Sequence, residues 1–409
     1  MFSKLKSVLL IVIMIFILPV GTNTDRQNFY AFPEVDDLFG SGITVPPSAA
    51  ENGKDYYNLC KALYTYTTEE ALPEPEEQPE PGPVVLRFGG DVTMSSVFTS
   101  FLRNHGINHS FESSSHLTRS ADITFFNLET SVGERGAPVK RPGFAFQSPP
   151  WTLQSLVNAG VDIVSLANNH TLDYGHRYGL DTIYHLDQFG IKHVGMGANR
   201  DEALSPIVIE RNGLKVGFLA FTQILPAPSW RAGEDSLGLA VLVTDDDFYH
   251  MRRAVAAAKE ICDILIVSIH FGTEYTHRHT RLQQDTARAV INAGADVIIG
   301  HHPHYLQGIE FYNGKPIFYS TGNYIFYKLN EEAGRTALFE IVLDRNGFVS
   351  GRLYPIHITG GRALVVSETS SMYAQTLRLM RDLSAPLGVS VDTLSGEFFP
   401  KVDDLTSSD

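Results

Sequence analysis

Two cysteines, Cys60 and Cys262, are all that this chain of 409 residues carries. That excludes a disulfide framework, and the absence of a cysteine cluster argues against a structural zinc site. Nothing in their spacing marks the two as a pair, so both read as free thiols. Basic side chains are also scarce: 32 Lys and Arg stand against 46 Asp and Glu, for a formal net charge of -14. No basic stripe is present, which argues against a nucleic-acid partner. A polyanionic ligand would have to be held locally, by a metal ion or a small basic patch. There is no internal repeat and no exposed aromatic platform of the kind a carbohydrate-binding module uses. The hydrophobic content of 43% is enough for the core of one large domain or two ordinary ones.

A long apolar run is missing too. The best candidate, Val8 to Val20, is broken by Pro19 and follows Lys4 and Lys6. It is too short for a comfortable membrane span, but it has the charged and apolar parts of a targeting segment. Residues 1–21 are therefore a cleaved signal peptide or an uncleaved N-terminal anchor, and both place the rest outside the cytoplasm. Residues 22–83 form an N-terminal region with a short helix expected near Tyr56 to Tyr66. It ends in a spacer: six Glu and five Pro between Glu69 and Pro83 cannot build a core. Such a segment is extended and self-repelling, and would hold the next domain away from a membrane surface.

After Pro83 the texture changes to alternating strands and helices, which argues an α/β domain over 84–366. Strands are expected at Val84–Phe88, Ile123–Phe126, Val161–Leu166, Leu214–Phe221, Ile264–Ile269, Val297–Ile299 and Pro316–Tyr319. Helices are expected over Trp151–Ala159, Asp246–Ile261 and Gln283–Ala293. Thr336–Leu343 and Phe348–Pro355 flank Asp344-Arg345-Asn346-Gly347, a hairpin turn. Residues 367–409 read as a helix, Tyr373–Leu383, and a tail whose last 20 or so residues are loosely ordered.

Polar residues recur just past the strand ends, where open α/β sheets place their ligands. Asp91 follows the first strand; Asn127 and Glu129 the second; Asn168, Asn169 and His170 the third. His270 and Glu274 follow a later one, and Gly300-His301-His302-Pro303-His304 the next. Taken singly, each has an ordinary explanation: a cap, a turn or a hydrogen-bonded core histidine. Taken together they form a mixed oxygen and nitrogen ligand set, which suits one or two divalent ions of Mn, Fe or Zn. His302 and His304 can aim at one spot, whereas His301 is the least convincing ligand of the three. A carboxylate between two histidine-rich half-sites bridges a metal pair, and such a pair would activate a water and clamp the oxygens of a phosphoryl group.

These motifs, with Asp173-Tyr174-Gly175, His270 to Tyr275 and Tyr319 to Phe326, resemble the CapA family of capsule and poly-γ-glutamate synthesis proteins. That family is similar in fold to the calcineurin-like metallophosphoesterases. The resemblance runs from about Val84 to Tyr327. It implies a layered α/β/β/α sandwich with metal-site loops at the strand C-terminal ends. By motif, Asp91 resembles the first metal carboxylate, Glu129 the bridging carboxylate and Asn169 an amide ligand of the second metal. His270 and His302 resemble second-metal ligands and His304 a first-metal ligand. His170 is similar to the histidine that protonates the leaving group, with Asp173 orienting it. Asn127, Asn168, Glu274 and Asn323 are expected to contact substrate. The pattern departs from the phosphoesterases at Asp91-Val92-Thr93, where Thr93 replaces a histidine ligand, and Phe271 stands where the family more often has Trp.

Two readings follow. One is a metal-dependent hydrolase acting on a phosphoester or on an amide in a surface polymer such as poly-γ-glutamate. The other is a non-catalytic, membrane-tethered subunit that binds a polyanion during polymerisation or export, alongside membrane polymer-synthase subunits. For the second, Arg135, Lys140 and Arg141 in the loop after Glu129 would supply local positive charge.

Overall fold

The computed structural model describes residues 80–139 and 144–401. The targeting segment, the spacer up to residue 79, Cys60, Lys140, Arg141 and the last eight residues lie outside the described residues. No helix among the described residues is long and apolar enough to cross a membrane.

Two sheets form the middle of the domain. The first begins with strands β1 (Val84–Val92), β2 (Ile123–Leu128), β3 (Ile163–Ser165) and β4 (Lys192–Val194), all parallel. The second holds β5 (Ile207–Arg211), β6 (Leu214–Thr222), β7 (Ile264–His270), β8 (Val297–His301), β9 (Ile309–Tyr312) and β10 (Lys315–Phe318), in the order β9-β10-β8-β7-β6-β5. The chain then returns to the first sheet. Strand β11 (Asn323–Ile325) joins β1 in parallel, and β12 (Arg335–Asp344) joins it antiparallel. Strand β13 (Gly347–Thr359) makes the expected hairpin with β12, closing at Asp344 opposite Gly347. The sheet is completed by β14 (Arg362–Val365), β15 (Val389–Val391) and β16 (Glu397–Pro400).

The central strands read as apolar runs because both faces are buried. Phe88, Phe125, Phe218, Ile266, Ile299 and Phe339 fill the space between the sheets. Three helices, α1 (Val97–His105), α2 (Leu153–Asn158) and α3 (His176–Gln188), cover the outer face of the first sheet through Phe98, Leu102, Leu156 and Leu186. Helices α4 (Asp245–Lys259) and α5 (Arg281–Ala293) cover the outer face of the second through Met251, Val255, Ala287 and Val290. Both start at capping boxes, Thr244 with Asp247 and Thr280 with Gln283, which satisfy the orphan N–H groups of the first turn. The result is the layered α/β/β/α sandwich.

The C-terminal stretch corrects one expectation. Helix α6 (Ser371–Ser384) forms as read, but part of the tail after it is ordered. Strand β16 pairs with β13 through Gly351 and Phe398, and Val389, Val391 and Phe398 are buried in the inter-sheet core. Strands this short carry too few apolar positions to announce themselves.

Candidate metal centre

All the parallel strands that meet here end on the same side of the domain. Register sets Asp91 opposite Asn127 on one flank and opposite Asn323 on the other. In the second sheet, His270 is opposite His301. The pairing of β1 slips between Phe88 and Asp91, at Gly89-Gly90, which re-aims Asp91. A Cβ on Gly90 would lie 1.8 Å from the Gly322 carbonyl oxygen, so only glycine lets β1 approach the turn before β11.

Asp91, Glu129 and His270 are buried and offer ligand atoms that all lie within 4.8 Å of one another. Asp91 Oδ1 accepts from Asn127 Nδ2 at 2.8 Å, and Oδ2 is 3.2 Å from His304 Nδ1. Burial pushes the Asp91 carboxyl up, but His301 and His304 together hold it well below the usual carboxylate range. Burial, aided by the neighbouring His302, pushes His270 well below the usual imidazole range. It is therefore a neutral imidazole at pH 7, the form that binds a metal. His304 is moved the other way: burial disfavours its charge, but Asp91 and Asn323 outweigh burial and raise its pKa.

Asn169 Oδ1 is 2.8 Å from His270 Nε2, and the His270 and His302 rings are 4.8 Å apart. His302 and His304 have φ of 95° and 58°, backbone conformations that non-glycine residues adopt only under constraint. Tyr275, with φ of 57°, fastens this loop by donating its N–H to the Pro303 carbonyl at 2.8 Å. His170 stands at the edge of the cluster. Its Nδ1 is 2.6 Å from Asp173 Oδ2, and its Nε2 is 3.9 Å from Glu129 Oε1. Asp173 Oδ2 also accepts from the Phe146 N–H at 2.8 Å, and the Phe146 ring lies 4.2 Å from that of His170.

The remaining expected residues divide. Asn127 and Asn168, expected to contact substrate, are fully buried and hydrogen-bond within the cluster. Asn168 Nδ2 donates to Asn127 Oδ1 at 3.1 Å, and Asn127 Nδ2 faces Asp91, Glu129 and His270 at 2.8, 3.4 and 3.3 Å. Asn323 is likewise buried, its Oδ1 2.8 Å from His304 Nδ1. Glu274 is exposed and acts on His304 through its charge alone. Arg135 is exposed, and its backbone carbonyl accepts from Gln147 at 2.8 Å. Phe146 was not singled out in the sequence, and Tyr275 and Phe326, although within the motifs, had no role there; the Phe326 ring stacks on His304 at 4.8 Å. Only proximity in the fold reveals these. The sequence reading also discounted His301, although the period-two alternation Val297, Ile299, His301 pointed that ring inward.

The donor set fits a divalent ion: two buried carboxylates, a neutral imidazole, an amide oxygen and two further histidines on one rim. Fold and site define a layered α/β/β/α domain with a buried carboxylate and histidine cluster at its strand C-terminal ends. The sequence specifies the group further. Residues 85–328, more than half of the chain, match the bacterial capsule synthesis protein PGA_cap family, and the chain belongs to it. It is 27% identical over 349 residues to the capsule biosynthesis protein CapA of Bacillus anthracis, covering 85% of this chain and 82% of that one. It is 30% identical over 273 residues to the PGA biosynthesis protein CapA of Bacillus subtilis (strain 168), covering 66% and 70%. A solved structure, the 5'-nucleotidase from Candida albicans SC5314, is similar at a TM-score of 0.37 with 11% identity, covering 76% of this chain and 60% of that one.

Proposed function

We propose that this chain is an exported protein of capsule or poly-γ-glutamate synthesis whose domain is a metal-dependent hydrolase for a phosphoester or a polymer amide. One observation carries the reading: Asp91, Glu129 and His270 converge in a buried cluster beside a histidine, His170, that a carboxylate holds at 2.6 Å. Asp91, Glu129 and His304 would hold one ion; Asn169, His270 and His302 would hold a second, with Glu129 between them. Ions bound there would activate a water and draw charge from the scissile group. Asp173 fixes the His170 proton on Nδ1, so Nε2 is the nitrogen turned toward the reacting groups. From there it exchanges a proton with the leaving group. The apolar segment at residues 8–20 would carry the domain across or to the membrane, near polymer-synthase subunits.

The test is elemental analysis of the full chain, wild type beside His302→Ala and Glu129→Ala, with hydrolysis of a nitrophenyl phosphodiester and of poly-γ-glutamate. About two ions per chain, lowered in both variants, with hydrolysis abolished by His170→Ala, is the expected result. A second reading, the tethered non-catalytic subunit, is favoured by Thr93. Its hydroxyl donates to Ser95 Oγ at 3.0 Å, and it supplies nothing to Asp91. One ion, lost only in His302→Ala, with no hydrolysis, would establish that reading instead.

A further inference from the structure

His301 has no part in the roles given above, yet it is fully buried against the same carboxylate. It ends β8 opposite His270, and the alternation of both strands turns the two rings into the space between the sheets. Its Nδ1 lies 3.2 Å from Thr321 Oγ1 and 3.5 Å from Asp91 Oδ1. The Thr321 hydroxyl donates to the Gly300 carbonyl at 3.2 Å, so toward His301 it acts as acceptor. That places the ring proton on Nδ1, the nitrogen facing Asp91. The other nitrogen, Nε2, is buried without a hydrogen-bond partner, and the nearest aromatic, Phe125, is 6.0 Å away between ring centres. An apolar side chain would sit there at less cost, so packing does not account for a histidine.

The two oxygens of Asp91 are therefore held differently. Asn127 and His301 face Oδ1, while Oδ2 accepts no well-directed hydrogen bond and is left as the ligand atom beside His304. Thr93, two residues on, contributes no ligand to compensate for a loosely held carboxylate.

We propose that His301 is a positioning residue for the first metal half-site, its Nδ1–H and Asn127 together fixing the Asp91 carboxylate so that Oδ2 is presented to the ion. The proposal rests on the metal-centre reading. Groups that orient a ligating carboxylate set metal affinity about 10- to 100-fold. The experiment is Mn2+ titration of the full chain after chelator treatment, by calorimetry with elemental analysis, comparing wild type, His301→Leu, His301→Asn and Thr321→Val. The Asn amide can place a donor where Nδ1 stands; Leu cannot. His301→Leu is expected to weaken one of two ions about 10- to 100-fold and leave the other unchanged. His301→Asn should remain near wild type. Thr321→Val, which keeps the ring but frees its proton, should weaken the same ion. Two ions at wild-type affinity in His301→Leu overturn the proposal and leave the metal centre standing. Equal losses in His301→Leu and His301→Asn overturn it also, since shape alone would then matter. Should His301→Leu not fold, unchanged affinity in Thr321→Val overturns it. Wild type that binds no ion overturns the metal-centre reading, and this proposal with it.

Discussion

Replacing Asn127 by Asp would put a third carboxylate into a buried cluster that is built around two. The Nδ2 of Asn127 is 2.8 Å from Asp91 Oδ1 and 3.4 Å from Glu129 Oε2, so it donates where the new oxygen would repel. Two unit charges about 3 Å apart at an effective dielectric of about 20 repel by roughly 5 kcal/mol, and protonation of one carboxyl caps the cost. Loss of a hydrogen bond to a charged group adds about 1.5–3 kcal/mol. The metal-free Asn127→Asp protein is therefore expected to be less stable than wild type by about 3–5 kcal/mol at pH 7. A divalent ion reverses the sign of the local field, so saturating Mn2+ should recover a larger share of stability in the variant than in wild type. Urea unfolding, with chelator and with Mn2+, measures both quantities. A metal-free variant as stable as wild type would refute the placement of Asn127 between the carboxylates. A variant that Mn2+ does not rescue would refute the claim that this cluster binds a cation.

Other outcomes follow from the same geometry. Gly90→Ala must push β1 away from the Gly322 backbone, since its Cβ would lie 1.8 Å from that carbonyl oxygen; several kcal/mol of destabilisation is expected, read as insoluble expression or a much lower urea midpoint. Asp173→Asn leaves His170 free to take the wrong tautomer, and hydrolysis should fall about 10- to 100-fold with the ion content unchanged; lost metal would show instead that Asp173 supports the ligands. The metal-free protein should be most stable near pH 6.5. Burial depresses the pKa of His270, so its contribution is full above the unfolded value of about 6.5 and is lost below it at about 1.4 kcal/mol per pH unit. His304, raised by Asp91, contributes fully below about 6.5 and loses that contribution as pH rises through its folded value. A urea midpoint that climbs steadily from pH 5 to 8 would contradict the raised His304.

Much of this was legible in the linear chain. The apolar runs of β1, β2, β7 and β8 are long enough to be strands buried on both faces, and each stops at a polar cluster. Local patterns of this kind act over a few residues, so ligand types and most helix bodies could be read directly. The hairpin at Asp344 to Gly347 was legible for the same reason, because turn chemistry is local.

What only the tertiary structure decided is how those clusters use one another. Asn127 and Asn168 are 41 positions apart in sequence; only the fold sets them in 3.1 Å contact and puts Asn127 against Asp91, Glu129 and His270. His301 and His304 differ little as letters, yet the pleat of β8 turns one ring beneath Asp91 and the positive φ of the loop carries the other beside it. Strand β16 was invisible because its stability comes from pairing with β13, 47 residues away at Gly351 and Phe398. The sequence by itself determined which chemistry the chain can offer, since residue type and local spacing suffice for that. The choice of which donor faces an ion, which braces another donor and which end of the chain completes the sheet belongs to long-range register, and register exists only once the two sheets have closed on their common core.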